Sequence, residues 1–212
     1  MKPLLTLLLL TAAPALAQQP DLSFTAQGQV GTFQEFITPP TLIWKEGPDS
    51  YPVGRINLDK TVSLTLTKAN TAKFSRATIL DWRDSAGSED GRCDNSKLAA
   101  QDATMLMLSE VYYTHDGESF FLRAGYTREN SDGSTTYTTK FFVWVDRDVF
   151  LRGEKKCGAS TTRYDLNFKA GWNVLDFIYT RNSSTSSWSN DEYRNAQPIK
   201  QYVGPWVVYD DN

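Results

Sequence analysis

One imidazole, two thiols and a scatter of carboxylates are the groups from which this chain could build chemistry. His115 is its single histidine. A Ser-His-Asp or Cys-His arrangement needs an imidazole beside its nucleophile and would have to pass through that residue. His115 precedes Asp116-Gly117-Glu118, and Asp-Gly between two apolar runs is a hairpin signal, so His115 reads as a turn residue. Metal sites built on several histidines are excluded within one chain. Cys93 and Cys157 are the only thiols. In an exported protein two cysteines most simply form one disulfide, which removes both as nucleophiles and as zinc or copper ligands. The loop closed, about 65 residues, stabilises by about 4 kcal/mol in the chain-entropy account.

Carboxylates remain, and a glycosidase needs only two acids facing across a cleft. Glu110, Asp146, Asp165 and Asp176 fall in or beside expected strands. Asp146 and Asp148 are the one pair at strand spacing, and with Arg147 between them they read as a salt-linked turn. A denser group, Asp84, Glu89, Asp90 and Asp94, lies beside Cys93. Oxygen ligands crowded in this way suit calcium, although the spacing is not that of an EF-hand and a solvated acidic loop is the competing reading. Calcium is the only cofactor the sequence suggests. Trp188 stands alone in the polar stretch 182–190, where it could stack on a ligand such as a sugar ring or anchor the loop over the sheet. No residue is assigned a catalytic role.

The elements that must position these groups are strands. Residues 61–68 alternate Val62, Leu64 and Leu66 against polar neighbours, the period of a half-buried strand. Runs at 105–114, 119–129, 135–145, 163–169 and 172–180 are rich in aromatic and β-branched residues. They are separated by His115-Asp116-Gly117-Glu118, by Asn130-Ser131-Asp132-Gly133 and by Ala170-Gly171, so they read as consecutive antiparallel strands of a meander. Further strands are expected at 41–45, 77–82 and 205–209. Helix is scarce, with 96–103 the best candidate behind Asn95 or Ser96 as cap. Segments 84–95 and 182–190 read as irregular loops. Trp44, Trp82, Trp144 and Trp172 read as core. The expected fold class is all-β, a mainly antiparallel sandwich of immunoglobulin-like or jelly-roll-like form, with a small β-barrel as the alternative.

Residues 1–17 have the form of a cleaved signal peptide: Lys2, an apolar run over 4–10, then Ala15-Leu16-Ala17. The remainder, 18–212, is expected to form one β-rich domain, exported to the periplasm or the extracellular space. No cysteine follows the cleavage site to carry a lipid. The 22 basic and 25 acidic residues nearly cancel and form no basic patch, which argues against a nucleic-acid partner. No later stretch is long and apolar enough for a membrane helix. Sustained apolar-out, polar-in alternation of the outer-membrane type is also missing.

The segment Val143-Trp144-Val145-Asp146-Arg147-Asp148, with Gly153, Cys157, Tyr164-Asp165-Leu166-Asn167 and Lys169-Ala170-Gly171-Trp172-Asn173, resembles a pattern in uncharacterised exported bacterial β-sandwich proteins. The resemblance covers about thirty residues and implies a fold but no activity. The opening Gly28-Gln29-Val30-Gly31 is similar to that of immunoglobulin-like or carboxypeptidase-regulatory-like sandwiches. In this pattern Gly171 takes the positive φ of a tight hairpin, Trp172 covers the adjoining strands and Asn173 bonds to the turn backbone. The function expected is a soluble, non-enzymatic binding or structural protein whose ligand the sequence does not identify, a carbohydrate or a protein being compatible with it. A hydrolase or lyase using strand carboxylates and a carrier of small apolar ligands are the alternatives.

Overall fold

The structure, a computed structural model, describes residues 20–31, 38–46, 49–85, 93–158, 160–182 and 188–210. In chain order the elements begin with β1 (Phe24–Gln29), β2 (Thr41–Glu46), β3 (Asp49–Ile56), β4 (Thr61–Leu66), α1 (Lys68–Thr71), β5 (Ala77–Thr78), α2 (Ile79–Ser85) and β6 (Cys93–Ala100). They continue with β7 (Thr104–Leu108), β8 (Val111–His115), β9 (Glu118–Glu129), β10 (Ser134–Val145) and β11 (Val149–Cys157). The last are β12 (Ser160–Phe168), β13 (Gly171–Asn182), β14 (Trp188–Pro198), β15 (Gln201–Val203) and β16 (Trp206–Asp210). The fold is all-β and sandwich-like, a large and mostly antiparallel sheet with two short helices.

Alternation sets the faces. Val62, Leu64 and Leu66 are buried as their period requires. The β8–β9 hairpin pairs His115 with Glu118, and Asp116 and Gly117 both take positive φ, 51° and 86°, the conformation the tight turn demands. The Asn130–Ser134 turn is closed by bonds between those two residues and by Asp132, whose carboxylate accepts from the Ser134 N–H and hydroxyl.

Hydrogen bonding runs through one path, β15-β1-β4-β3-β2-β8-β9-β10-β13-β14-β12-β11-β6. Its first half nearly closes on itself. β15 pairs with β1 while β16, two residues later, pairs with β9, and a Val30–Trp206 bridge adds to the seam. That lobe is filled by Phe24, Trp44, Tyr113, Phe142, Trp144, Trp172 and Trp206, among others. A second core holds Ile79, Trp82, Val143, Val145, Leu151, Tyr164, Leu166 and Phe168. β10 is the wall between them, because Phe142 and Trp144 face the first core and Val143 and Val145 the second. The four tryptophans expected in the core are all buried.

Four local expectations are corrected. Residues 96–103 are not helical: 93–100 form β6, whose Leu98 and Ala100 pack on the second core. Pairing with β11, from Cys93–Cys157 to Ala100–Leu151, overrides the helical preference of Lys-Leu-Ala-Ala, since context routinely overrides propensity. Residues 77–82 are strand only at Ala77–Thr78 and then turn into α2. The reason is a capping arrangement in which the Thr78 hydroxyl accepts from the Asp81 N–H (3.0 Å) and the Asp81 carboxylate accepts from the Thr78 N–H (2.9 Å). The run 105–114 divides into β7 and β8, which serve β10 and β9 respectively.

The fourth correction concerns the meander. β12 and β13 are joined by the short turn at Lys169-Ala170 yet do not pair, because β14 lies between them, parallel to β12 and antiparallel to β13. Gly171 has φ 99°, but the turn it serves leads two splayed strands apart. Asn173 holds that turn as expected: its side chain accepts from the Lys169 N–H (3.0 Å) and donates to the Lys169 and Gly171 carbonyls (2.7 and 2.9 Å). Trp172 packs in the first core and donates to the Leu22 carbonyl (3.1 Å).

Candidate functional site

The sequence-derived candidates are largely occupied by structural partners. Cys93 and Cys157 form the disulfide, joining β6 to β11 at directly opposed positions. It thus staples neighbouring strands, although Cys93 falls in the segment 84–95 that reads as an irregular loop. Asp84 accepts both guanidinium bonds of Arg83 and one from Asn95, and the Arg83 guanidinium holds its carboxyl below the usual range. Asp94 accepts from the Ser96 N–H. Glu89 and Asp90 lie outside the described residues, so half of the candidate calcium set is placed. Among the described residues no cluster of three or more His, Cys, Asp or Glu groups is arranged for a metal.

The strand carboxylates are spread over the molecule and each faces a cation. Glu110 meets Arg123 (2.8 Å) and the Tyr112 hydroxyl, Asp176 meets Lys140, and Asp165 meets Arg152 (3.8 Å). Asp146 binds Arg147 (2.9 Å) and Asp148 binds Lys169 (2.7 Å), the salt-linked turn expected between β10 and β11. His115 sits at its hairpin tip, 3.4 Å from Asp116. Trp188 is not in a loop: it begins β14, opposite Arg181, and its side chain lies outside the described part.

A different set converges, and register explains why. Tyr164 on β12 pairs with Tyr193 on β14, Tyr193 pairs with Phe177 on β13, and Tyr179 pairs with Tyr137 on β10. Residues directly opposed across strands put their side chains in contact on one face. The rings form a continuous row: Tyr164–Tyr193 at 5.1 Å and 3°, Tyr193–Phe177 at 4.5 Å, Phe177–Tyr179 at 5.1 Å and Tyr179–Tyr137 at 4.8 Å and 9°. Trp82 of α2 closes one end, edge-on to Tyr193 at 5.4 Å. Arg123 continues the row at the other, where its charge bears on Tyr179 and its guanidinium lies over Phe121 and Tyr209 (4.8 and 5.4 Å). Tyr137, Phe177 and Tyr193 are only half-buried, so the row is a partly open face.

Two polar groups on this face are unmet. Asp191 sits two residues before Tyr193 and therefore on the same side of β14. Its carboxylate is half-buried and makes no ion pair or hydrogen bond among the described residues; burial raises its pKa, and its charge bears on Tyr164, Tyr179 and Tyr193. The Tyr164 hydroxyl is buried and finds no partner among the described residues. The sequence reading missed this face because Asp191 and Tyr193 lie in a polar run next to the Ser-rich stretch, and nothing local marks them as strand. The period-two pair Asp191, Tyr193 was the one available signal.

A concavity of about 550 Å³ opens elsewhere, beside β1, β4 and β15, and is lined by Gln27, Gln29, Thr61, Ser63, Val203 and Pro205 among others. Its walls are amide, hydroxyl and apolar groups without a charge. The molecule is therefore an all-β protein in which a partly open row of rings meets the unpaired Asp191 on one face; the Trp206 Nε1, buried among Phe142 and Tyr202, is likewise unmet among the described residues. Comparison with family models, curated proteins and solved structures finds no match for the chain.

Proposed function

We propose that this is an exported, non-enzymatic binding protein whose ligand docks on the aromatic face of β10, β13, β14 and β12. The observation that carries the reading is the meeting of a partly open row of stacked rings, Tyr137, Phe177 and Tyr193 at its exposed part, with Asp191, a half-buried carboxylate without a partner among the described residues. Structural surfaces satisfy such groups; ligand sites hold a few of them ready among apolar walls. Export is supported by the leader-like residues 1–17, which lie outside the described residues, and by the disulfide.

The competing activities have less to stand on. Two-acid glycoside chemistry needs a second carboxylate across from the first, and Asp191 is the only acid among the described residues whose charge bears on these tyrosines. A carrier of apolar ligands needs an internal chamber, whereas large side chains fill the first lobe.

The test is a titration of purified protein with neutral oligosaccharides, alkylamines and aromatic carboxylates, followed by aromatic-region NMR. A ligand that shifts the Phe177 and Tyr193 resonances, and loses affinity on Tyr193→Ala in a variant that melts cooperatively, supports the reading. Turnover of a polysaccharide or ester panel that is abolished by Asp191→Asn would contradict it.

A further inference from the structure

Independently of the aromatic face, we infer that the groove beside β1, β4 and β15 is a second binding site, which takes a neutral oligosaccharide. Register builds it. β1 lies between β15 and β4, so Val203, Gln27 and Ser63 are directly opposed across the three strands, and Gln29 is opposed to Thr61. Opposed residues share a face, and all five line the concavity of about 550 Å³, a size usual for small-ligand sites. The row before it on the same face is Gln201, Thr25 and Thr65, while the alternate residues Ala26, Leu64 and Tyr202 turn into the first core. The outward face of these strands thus presents amides, hydroxyls and one valine and no charge, in a chain of which 22% of the residues are charged. The first charge in register is Arg55 on β3, outside the lining.

The polar groups are held ready for a ligand. The Asn57 amide donates to the Thr61 and Ser63 hydroxyls (2.8 and 3.3 Å), and the Thr61 hydroxyl donates to Asp59 (2.6 Å). Ser63 therefore accepts from within the protein and keeps its own proton for the groove. The side-chain amides of Gln27 and Gln29 are exposed and make no hydrogen bond among the described residues. Each amide donates and accepts, the two roles that neighbouring sugar hydroxyls also play. Val203, 72% exposed, and Pro205 offer an apolar wall to the C–H face of a ring. An acidic glycan would bring charge to walls that hold no cation to match it, and an unmatched charge is costly to desolvate. Extended peptides add to open strand edges, whereas β1 and β4 are paired on both sides.

The probes are cellotriose, maltotriose and triacetylchitotriose, with trigalacturonate as the charged counterpart, titrated into the oxidised protein. NMR follows the Gln27 and Gln29 side-chain amides and the Val203 methyls. The expected result is saturable shifts at those groups with at least one neutral trisaccharide, and at least about tenfold weaker binding of trigalacturonate. Gln27→Ala should weaken the sugar about fivefold, and Gln27→Ala combined with Gln29→Ala about twentyfold, since both side chains are exposed and only hydrogen bonds to the ligand are lost. Asp165→Asn, on β12 of the second lobe, should change nothing. No saturable shift with any of the three sugars, equal binding of trigalacturonate, or full affinity in the double variant would overturn the inference. Shifts at these groups from a Gly-Ser-Gly-Ser peptide and none from the sugars would also overturn it. Sugar shifts confined to Phe177 and Tyr193 would overturn it while supporting the aromatic face.

Discussion

Tyr164 and Tyr193 are paired in register on parallel strands β12 and β14, and their rings lie 5.1 Å apart and within 3° of parallel. The pair exists only because β14 enters between β12 and β13, so it ties the topology of the second lobe to the chemistry of its face. Tyr193 also meets Trp82, Phe141 and Phe177. Removing its half-buried ring should cost about 2 kcal/mol, less than the loss for a fully buried aromatic, and Tyr193→Phe should cost much less. Urea unfolding of the two variants checks this.

Lys155 is the one fully buried cation named among the core residues, and its ammonium donates to the Arg83 and Asp84 carbonyls at 2.8 and 3.2 Å. It caps the end of α2, whose last carbonyls have no partners within the helix. Lys155→Met should destabilise the protein by about 1–3 kcal/mol by leaving those carbonyls unmet. Burial lowers the lysine pKa, so the unfolded chain binds more protons and the wild-type stability rises as pH climbs from the lowered folded value to the ordinary lysine range. The Met variant should lack that increment, and paired denaturation curves across alkaline pH would show it.

Reduction of Cys93–Cys157 should lower stability by about 4 kcal/mol for a loop of this length. The native protein should weigh two hydrogens less than the reduced form. Equal masses, or an unchanged denaturation midpoint after reduction, would contradict the role given to the bridge.

Burial raises the phenols of Tyr164 and Tyr193 strongly, and Tyr202 and Tyr209 to about 12. A raised folded pKa means the native state holds its proton more tightly. The stability these groups contribute is complete below pH 10 and is lost as pH rises through the folded values. Tyr113 and Tyr179 are raised by burial as well, so absorbance titration should show a late, cooperative step from these buried phenols that coincides with alkaline unfolding. Uniform ionisation near pH 10 in folded protein would contradict the packing described.

Much of the architecture was legible in the sequence. Alternation at Val62, Leu64 and Leu66, the Asp116-Gly117 turn, the Asp132-Gly133 turn, the four core tryptophans and the disulfide are all local or combinatorial signals. What failed was non-local. β14 has a polar sequence with low strand preference and is held by its neighbours β12 and β13, so neither the strand nor the splaying of β12 from β13 could be read from spacing. β6 is strand for the same reason. The Thr78–Asp81 capping pair, by contrast, was readable and marks α2. The aromatic face depends on β14, which is why the strand acids singled out by sequence, Glu110, Asp146, Asp165 and Asp176, proved to be ion-paired while Asp191 was passed over.

The central claim is that ligand binds on the face shared by Tyr164, Phe177, Asp191 and Tyr193. The most direct measurement is an aromatic-region NMR titration of the oxidised protein with neutral oligosaccharides, alkylamines and aromatic carboxylates, assigned by single substitutions. The account predicts that one of these classes gives saturable shifts concentrated on Phe177 and Tyr193 that are lost in a cooperatively melting Tyr193→Ala protein. Shifts confined to the groove around Gln27, Ser63 and Val203, or none with any of the three classes, would contradict it.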